Sequence, residues 1–306
     1  MPFNYYIGCP WPFWQSVFHN DIYRLMRTLI LMILAIGFNT YGIYGVDNRK
    51  DFYELENPKL KELSKAVAFQ VQRHRELSGW KFLKRWTILT DSFYNKNVCS
   101  DQDFSYQPAM LNNCTGVLVG PKLLLTAGNC MTEHYCWNDL YYWMFNYSLK
   151  SKDNFSNKRL RKNFYTCKKV IKRVYDPKNA NSYTLLELNK VVEGVKPVKV
   201  NFNDNLSIGD ELITMGHIDG LPLKIAPDSQ VKDMNEKLFI LNSDIAGSSK
   251  GSPVFNAQTY ELEAIQIYGS NNYESTTRGC KEVPLNKYDD AKELAIKTNF
   301  LKEYLR

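Results

Sequence analysis

The chain has 306 residues, 44% of them hydrophobic and 23% charged, which is enough for one or two domains with a substantial buried core. Sixteen Gly and twelve Pro are close to average usage, so collagen-like chains and disordered chains rich in Pro and Gly are excluded. The formal net charge is +7, and every apolar run is shorter than the roughly 18 to 20 residues that span a bilayer. Aromatic residues make up 14% of the chain, which favours strands over a helical bundle.

The N-terminal segment has the layout of a secretory signal peptide. The apolar run Leu29–Phe38 follows two arginines and precedes small residues, so a cleavage site after Gly42 is expected. Translation from Met26 would give a more typical signal sequence than the full N-terminus does. We therefore expect a leader over residues 1–42 and a folded region over residues 43–306. A buried strand or helix is the alternative interpretation of so short an apolar run.

The cysteines support an oxidising compartment. Outside the predicted leader there are six, namely Cys99, Cys114, Cys130, Cys136, Cys167 and Cys280. An even number of cysteines behind a signal peptide predicts disulfides and a secreted or periplasmic protein. No Cys-x-x-Cys pair and no His/Cys cluster with zinc spacing occurs, so neither a structural metal nor a cofactor is expected.

The body of the chain has the pattern of a β protein. Short β-branched or aromatic runs bounded by turn residues predict strands at Ala66–Val71, Thr115–Val119, Leu123–Thr126, Tyr141–Tyr147, Phe164–Tyr175, Glu211–Gly216, Lys237–Leu241 and Leu262–Tyr268. The clearest predicted helices are Asn57–Lys65 and the stretch around Ala291–Leu305. Such a series of short strands fits a sandwich or one or two barrels.

Positive charge is concentrated in one segment, which we call the basic stripe. Residues 150–173 contain ten Lys or Arg and one acid, Asp153. The stripe could bind an anionic surface, because Lys and Arg dominate nonspecific binding to polyanions. The alternative is a solvated strand edge that opposes aggregation. No nucleic-acid-binding motif accompanies the stripe, so no specific nucleic-acid partner is expected.

Three segments carry a family resemblance. The first, CTGVLVGPKLLLTAGNC, covers 114–130; the second, NSYTLLEL, covers 181–188; the third, DIAGSSKGSPVF, covers 244–255. They resemble the base loop, acid strand and nucleophile loop of the trypsin/chymotrypsin family, above all of its secreted bacterial members. Their order and their spacing are also those of that family. The resemblance covers residues 64 to 306.

The resemblance implies an all-β fold of two packed six-stranded antiparallel barrels with a boundary near residues 190–200 and a C-terminal helix. It also implies a disulfide between Cys114 and Cys130, which flank the base loop. Among the fifteen possible connectivities of six cysteines, we complete the set with Cys136–Cys167 and Cys99–Cys280. Ile43-Tyr44-Gly45 weakly resembles the mature N-terminus of the family, although no basic residue precedes it.

Every position that carries catalysis in the family differs here. The base position holds Asn129, the acid position Ser182 and the nucleophile position Lys250. Serine attack requires a base that accepts the hydroxyl proton and an anion that supports the resulting imidazolium. Asn129 has no nitrogen that titrates near neutral pH, Ser182 is uncharged, and Lys250 has neither a hydroxyl nor a thiol. Ser248 replaces the glycine of the oxyanion hole, where a side chain disfavours the backbone angles that glycine permits.

Other residues could in principle replace the lost groups. Ser249 becomes the nucleophile if the alignment is shifted by one residue, and Lys250 could form a dyad with Ser249 or Ser252. His134 lies beyond the disulfide corner, where a surface position is expected. His217 belongs to a Gly-His-x-x-Gly turn, where a structural role is expected.

The sequence therefore predicts a secreted, monomeric protease homologue that binds a peptide or protein without cleaving it. An active endopeptidase that uses a nonstandard nucleophile such as Ser249 is the alternative from the enzyme class. A binder of polyanions or of the cell envelope, acting through the basic stripe, is the third hypothesis.

Overall fold

The structure is a computed structural model, and it describes residues 43–79, 84–92, 97–111, 114–245, 248–269, 273–286 and 292–305. The predicted leader at 1–42 lies outside the described residues.

The first half of the folded region forms a closed barrel of six antiparallel strands. Its strands are β1 Val67–Gln72, β2 Thr115–Gly120, β3 Leu123–Thr126, β4 Tyr141–Phe145, β5 Phe164–Asp176 and β6 Asn181–Leu188. Five of these strands were predicted from residue pattern, and β6 was expected from the resemblance. The spatial order is β1-β2-β3-β6-β5-β4, and β4 pairs with β1 to close the ring.

The second half repeats this arrangement. Its strands are β7 Glu211–Gly216, β8 Lys224–Met234, β9 Leu238–Leu241, β10 Pro253–Asn256, β11 Leu262–Tyr268 and β12 Glu293–Lys297. They follow the order β7-β8-β9-β12-β11-β10, and β10 pairs with β7 to close the ring. The two barrels therefore have the same strand order, which confirms the predicted fold of two six-stranded barrels.

The predicted C-terminal helix is wrong for most of its length. Residues 293–297 form β12, which pairs with both β9 and β11. The ring needs a sixth strand here, and pairing on both sides satisfies the backbone hydrogen-bonding groups that a helix would otherwise bond internally. Only Asn299–Glu303 is helical, as a short 3₁₀ segment whose Leu301 is buried.

Three α-helices are described, α1 Pro58–Lys65, α2 Arg73–Glu76 and α3 Glu133–Trp137. The predicted helix at Asn57–Lys65 is confirmed as α1. Asn57 caps its N-terminus by accepting a hydrogen bond from the backbone N–H of Lys59, and Pro58 occupies the first turn, where no N–H is needed. None of the described helices has the length and hydrophobicity of a membrane span.

Additional short strands lie outside the two six-stranded rings. They are Ile43–Tyr44 with Leu285–Asn286, Lys50–Asp51 with β8, Asp91–Ser92 with Pro108–Ala109, Glu274–Ser275 with Lys281–Glu282, and a three-stranded sheet of Leu77–Ser78, Arg85–Ile88 and Lys158–Leu160. Further 3₁₀ turns lie at Phe52–Glu54, Arg161–Asn163, Pro177–Asn179 and Ile218–Gly220.

Three disulfides tie these elements together. They join Cys99 to Cys280, Cys114 to Cys130 and Cys136 to Cys167, the same pairs that the sequence led us to expect. Cys99–Cys280 links segments that are 181 residues apart in the chain. Cys136–Cys167 connects α3 to β5 in the first barrel.

Candidate active-site region

The base position lies on the loop that follows β3. Asn129 is half-buried there, next to the disulfide of Cys130. The backbone of the preceding residue holds the loop in place. The carbonyl of Gly128 accepts a hydrogen bond from Nε of Arg173 at 2.7 Å, and its N–H donates to Oγ of Ser182 at 3.1 Å. The loop is therefore fixed to both β5 and β6.

The contact at Gly128 leaves no space for a side chain. A Cβ built at this position would lie 2.1 Å from the carbonyl oxygen of Val174 and 3.0 Å from the backbone nitrogen of Tyr183. Both atoms belong to backbone that is locked in the β5–β6 ladder, so neither can move away at low cost. Glycine at 128 is thus what permits the close approach of the base loop to the acid strand.

The acid position lies at the start of β6. Ser182 is 7% exposed and lies opposite Tyr175 of β5 in the strand register. Its hydroxyl accepts the hydrogen bond from Gly128, so the base loop and the acid strand remain connected. The connection is neutral, because a serine hydroxyl carries no charge that could stabilise a protonated base.

The nucleophile position lies on the tight turn that precedes β10. The carbonyl of Lys250 accepts a hydrogen bond from the N–H of Thr115 at 2.9 Å, and the N–H of Gly251 donates to the carbonyl of Gln266 at 2.7 Å. Sγ of Cys130 lies 3.8 Å from the same Lys250 carbonyl. Backbone contacts therefore place the turn between β2 and β11, beside the base loop.

Gly251 explains why the turn fits so closely. Its φ is +89°, in the region that favours glycine, and a Cβ there would lie 2.1 Å from the carbonyl oxygen of Thr115. The structure thus brings the segments of Asn129, Ser182 and Lys250 together at one junction of the two barrels.

Ser249, the alternative nucleophile, lies inside this junction. It is 1% exposed, and within the described part of the chain its hydroxyl contacts two other hydroxyls, those of Thr115 at 3.1 Å and Ser252 at 2.7 Å. Ser252 in turn donates to the carbonyl of Ser249 at 2.6 Å. Neither hydroxyl partner is a base that could take up a proton at neutral pH.

Ser248, at the oxyanion position, makes a hydrogen bond to a neighbouring turn. Oγ of Ser248 accepts a hydrogen bond from the N–H of Asp219 at 3.2 Å, and Ser248 does not have a positive φ. The side chain that replaces glycine therefore ties the nucleophile turn to the 3₁₀ turn Ile218–Gly220.

Neither candidate histidine is placed to act as a base. His134 lies in α3 on the surface. His217 is fully buried, with its ring stacked on Tyr147 at a centroid distance of 5.5 Å and its Nδ1 3.2 Å from the carbonyl oxygen of Leu221. The pKa of His217 is lowered to about 3, mainly by burial and to a smaller extent by the charge of Lys224, against the opposing effect of the hydrogen bond to Leu221. His217 is accordingly a neutral core residue.

The loop before the nucleophile turn is anchored by a segment that sequence patterns alone did not identify. Ile43 and Tyr44 are each 1% exposed, and the N–H of Tyr44 donates to Oδ1 of Asp244 at 2.8 Å. The hydroxyl of Tyr44 donates to Glu293 at the start of β12. The weak resemblance of Ile43-Tyr44-Gly45 to the mature N-terminus of the family was the signal that could have located this contact.

Desolvation dominates the electrostatics around Asp244. Burial raises the pKa of Asp244 to about 7, while the hydrogen bond from Tyr44 and the charge of Arg49 lower it. Arg49 itself is paired with Asp47. No group of three or more His, Cys, Asp or Glu that could hold a metal ion occurs within the described residues.

Comparison with known families agrees with this geometry. The model of the trypsin-like peptidase domain matches residues 114–265, a span that contains all three triad positions. The chain is a homologue of the trypsin-like serine proteases. No curated protein sequence matches.

Solved structures support the trypsin-like fold. Among 926 matching chains is the structure of the VesB protease of Vibrio cholerae, with a TM-score of 0.51. The sequence identity is 13%, and the alignment covers 85% of this chain and 67% of the VesB chain. At that identity, the trypsin-like homologue shares the fold of VesB, and its activity has to be argued from its own residues.

Proposed function

We propose that this trypsin-like homologue is a secreted or periplasmic pseudoprotease that binds a peptide or protein without cleaving it. One observation carries the proposal. The backbone of the base loop, acid strand and nucleophile turn is assembled at one junction, and the side chains there are Asn129, Ser182 and Lys250. A junction whose backbone is assembled in this way, but whose side chains cannot carry out acyl transfer, is suited to binding a peptide rather than cleaving it.

The chemical argument follows from the order of proton transfers in acyl transfer. The nucleophile must lose a proton as it attacks, and a positioned base must hold that proton until the leaving group takes it. The amide of Asn129 cannot hold it, and Ser182 offers no charge to stabilise a protonated partner. Lys250 offers neither a hydroxyl nor a thiol that could take the place of the attacking serine.

The alternative of an active enzyme that uses Ser249 receives no support from the geometry. An attacking hydroxyl has to reach the substrate carbonyl, whereas Ser249 is 1% exposed and hydrogen-bonded to Thr115 and Ser252. Using it would require breaking both contacts and opening the turn.

The disulfides support the proposed location. The chain has three disulfides. Disulfides persist in oxidising compartments and are rare in the cytosol of mesophiles. The predicted signal peptide is consistent with this location.

A peptide-mixture experiment tests binding and cleavage together. The disulfide-bonded protein is incubated with a tryptic digest of a proteome, retained peptides are eluted, and both fractions are sequenced by mass spectrometry. We expect a retained subset that shares side-chain features and no new peptide ends. New ends whose number grows with time, and that disappear with Ser249→Ala, would identify an enzyme. A retained fraction with the composition of the input would contradict peptide binding.

A further inference from the structure

A cavity of about 670 Å³ opens on the first barrel, away from the candidate active-site region. It lies between the three-stranded sheet and the strands β4 and β5. The turn after β6, with Asn189 and Lys190, forms another part of its wall. Ser182 lies seven residues before Asn189, so the acid position and this wall are about 23 Å apart at 3.3 Å per residue. The volume is within the usual range of small-molecule sites, about 300 to 1,000 Å³.

The rim of the cavity carries an excess of positive charge. Lys84, Arg161, Lys162 and Lys190 line it, against one acid, Asp139. Part of the basic stripe thus meets two lysines that lie far from it in the sequence.

Two of these cations are held in place by aromatic rings. The guanidinium of Arg161 lies 5.5 Å from the centre of the Trp86 ring, and Nζ of Lys190 lies 4.8 Å from that of Tyr165. Lys190 also donates to the carbonyl of Lys162. Cations that are fixed on aromatic rings lose little side-chain freedom when an anion binds.

The cations also repel one another. Burial lowers the pKa of Lys190, and the charges of Lys162 and Arg161 lower it further, against an opposing effect of Glu193. Glu193 is an exposed partner of Lys162 at 3.8 Å and does not line the cavity. An anion bound among these groups would relieve the repulsion.

The rest of the cavity lining includes aromatic and neutral polar side chains, which a site for a simple ion would not need. Trp86, Tyr142 and Phe164 provide an aromatic wall, in which Trp86 meets Tyr142 edge-on at 5.5 Å. Asn189 and Thr166 add hydrogen-bonding groups beside that wall. Oδ1 of Asn189 accepts from the N–H of Thr166 at 3.1 Å, which orients the amide with its NH₂ available as a donor.

We propose that this cavity binds a sugar ring that carries a sulfate or phosphate ester. The aromatic wall would pack against the C–H face of the ring, Asp139, Thr166 and Asn189 would bond its hydroxyls, and the cations would bind the ester oxygens. The cavity is several times larger than a free sulfate or phosphate ion, and this size favours an ester over the ion alone. The site is separate from the proposed peptide-binding function and does not depend on it.

Calorimetry on the full, disulfide-bonded protein tests the proposal with four probes. These are a sulfated disaccharide, the matching phosphate ester, the unmodified disaccharide and inorganic sulfate. We expect one or both esters to bind about tenfold or more tightly than the plain sugar, since a lost charged hydrogen bond costs at least that factor. The esters should also bind more tightly than inorganic sulfate, which lacks the ring face and the hydroxyls that the aromatic wall and the polar side chains would contact.

Two paired variants separate the cavity from the general charge of the stripe. Arg161→Gln with Lys190→Gln removes two cations from the cavity and should weaken ester binding about tenfold or more. Lys168→Gln with Lys169→Gln removes the same charge from exposed partners of Glu187 outside the cavity and should leave binding nearly unchanged. Equal weakening by both pairs, or an ester that binds no better than inorganic sulfate, would overturn the proposal.

Discussion

The hydroxyl of Ser182 accepts a hydrogen bond from the backbone N–H of Gly128 at 3.1 Å, so the acid strand still holds the loop that presents Asn129. The contact is made by backbone on one side and by a small hydroxyl on the other. It needs no charge, and it therefore forms with Ser182 at the acid position and Asn129 at the base position.

Restoring the triad should require several changes at once. We expect Asn129→His, Ser182→Asp and Lys250→Ser to give almost no activity singly, because triad residues act as a unit. The triple variant should gain labelling by a fluorophosphonate at the serine installed at 250. Adding Ser248→Gly should increase labelling further, since one oxyanion donor is worth about 100- to 1000-fold.

That last substitution also removes the hydrogen bond that Ser248 accepts from Asp219. Thermal unfolding of each variant has to accompany the labelling, so that a loss of fold is not taken for a loss of chemistry. A single variant that is labelled as strongly as the combined one would contradict the account of concerted loss.

Gly128→Ala should destabilise the first barrel. The new methyl group would lie 2.1 Å from the carbonyl oxygen of Val174, and overpacking of this kind costs about 1 to 3 kcal/mol or more in the free energy of unfolding. Gly120→Ala is the matched control, because the three atoms nearest to its Cβ would all belong to the side chain of Leu123, at 3.1 Å and beyond, rather than to backbone at 2.1 Å. Urea unfolding of both variants measures the difference; equal losses would mean that the loop can relax.

The burial of Asp244 predicts a pH-dependent stability. Its pKa is raised to about 7 in the folded protein, so its contribution is complete below about pH 4 and is lost as pH rises through 7. Arg49 opposes this shift, while Asp47 and Glu293 reinforce it. Asp244→Asn keeps an oxygen for the N–H of Tyr44 and should remove this part of the fall in stability between pH 5 and 8.

Asp233→Asn is the control for that experiment, because Asp233 is exposed on β8. The measurement is the free energy of unfolding in urea at pH 5, 6, 7 and 8. Parallel pH profiles for wild type and Asp244→Asn would show that the carboxylate stays charged when it is buried.

The buried ion pair of Lys224 and Asp51 should be sensitive to loss of one partner. Both side chains are at most 1% exposed, and Gln107 hydrogen-bonds to each of them. Lys224→Met leaves the Asp51 carboxylate buried without its cation, which costs about 3 to 5 kcal/mol. Adding Asp51→Asn should recover part of that loss. Lys65→Met, which breaks the exposed pair with Glu62, should change the free energy of unfolding by less than about 1 kcal/mol.

Much of the fold could be predicted from local pattern. Strands such as β3 and β7 have continuous apolar or alternating residues between turn residues, and their predicted limits agree with the structure. β12 was mistaken for a helix because its five residues gain their stability from two neighbouring strands, and that pairing is not encoded locally. β8, which begins with the buried Lys224, has too polar a sequence to be recognised as a strand.

The site was predictable in position and less so in orientation. Motif order predicted Asn129, Ser182 and Lys250 as the triad positions, and the segments that carry them contact one another in the structure. That Ser249 faces inward depends on tertiary contacts with Thr115, which is 134 residues away in the chain. The cavity beside Trp86 could not be predicted either, since its lining comes from four separate segments of the chain.

The measurement that tests the central claim most directly is intact-mass analysis of the purified wild-type protein after prolonged exposure to a fluorophosphonate. The presence of Asn129, Ser182 and Lys250 at the predicted triad positions, together with the burial of Ser249, predicts an unchanged mass with all three disulfides intact. A mass increase of one phosphonyl group, located at Ser249 and abolished by Ser249→Ala, would contradict the account and show that the homologue is an active serine hydrolase.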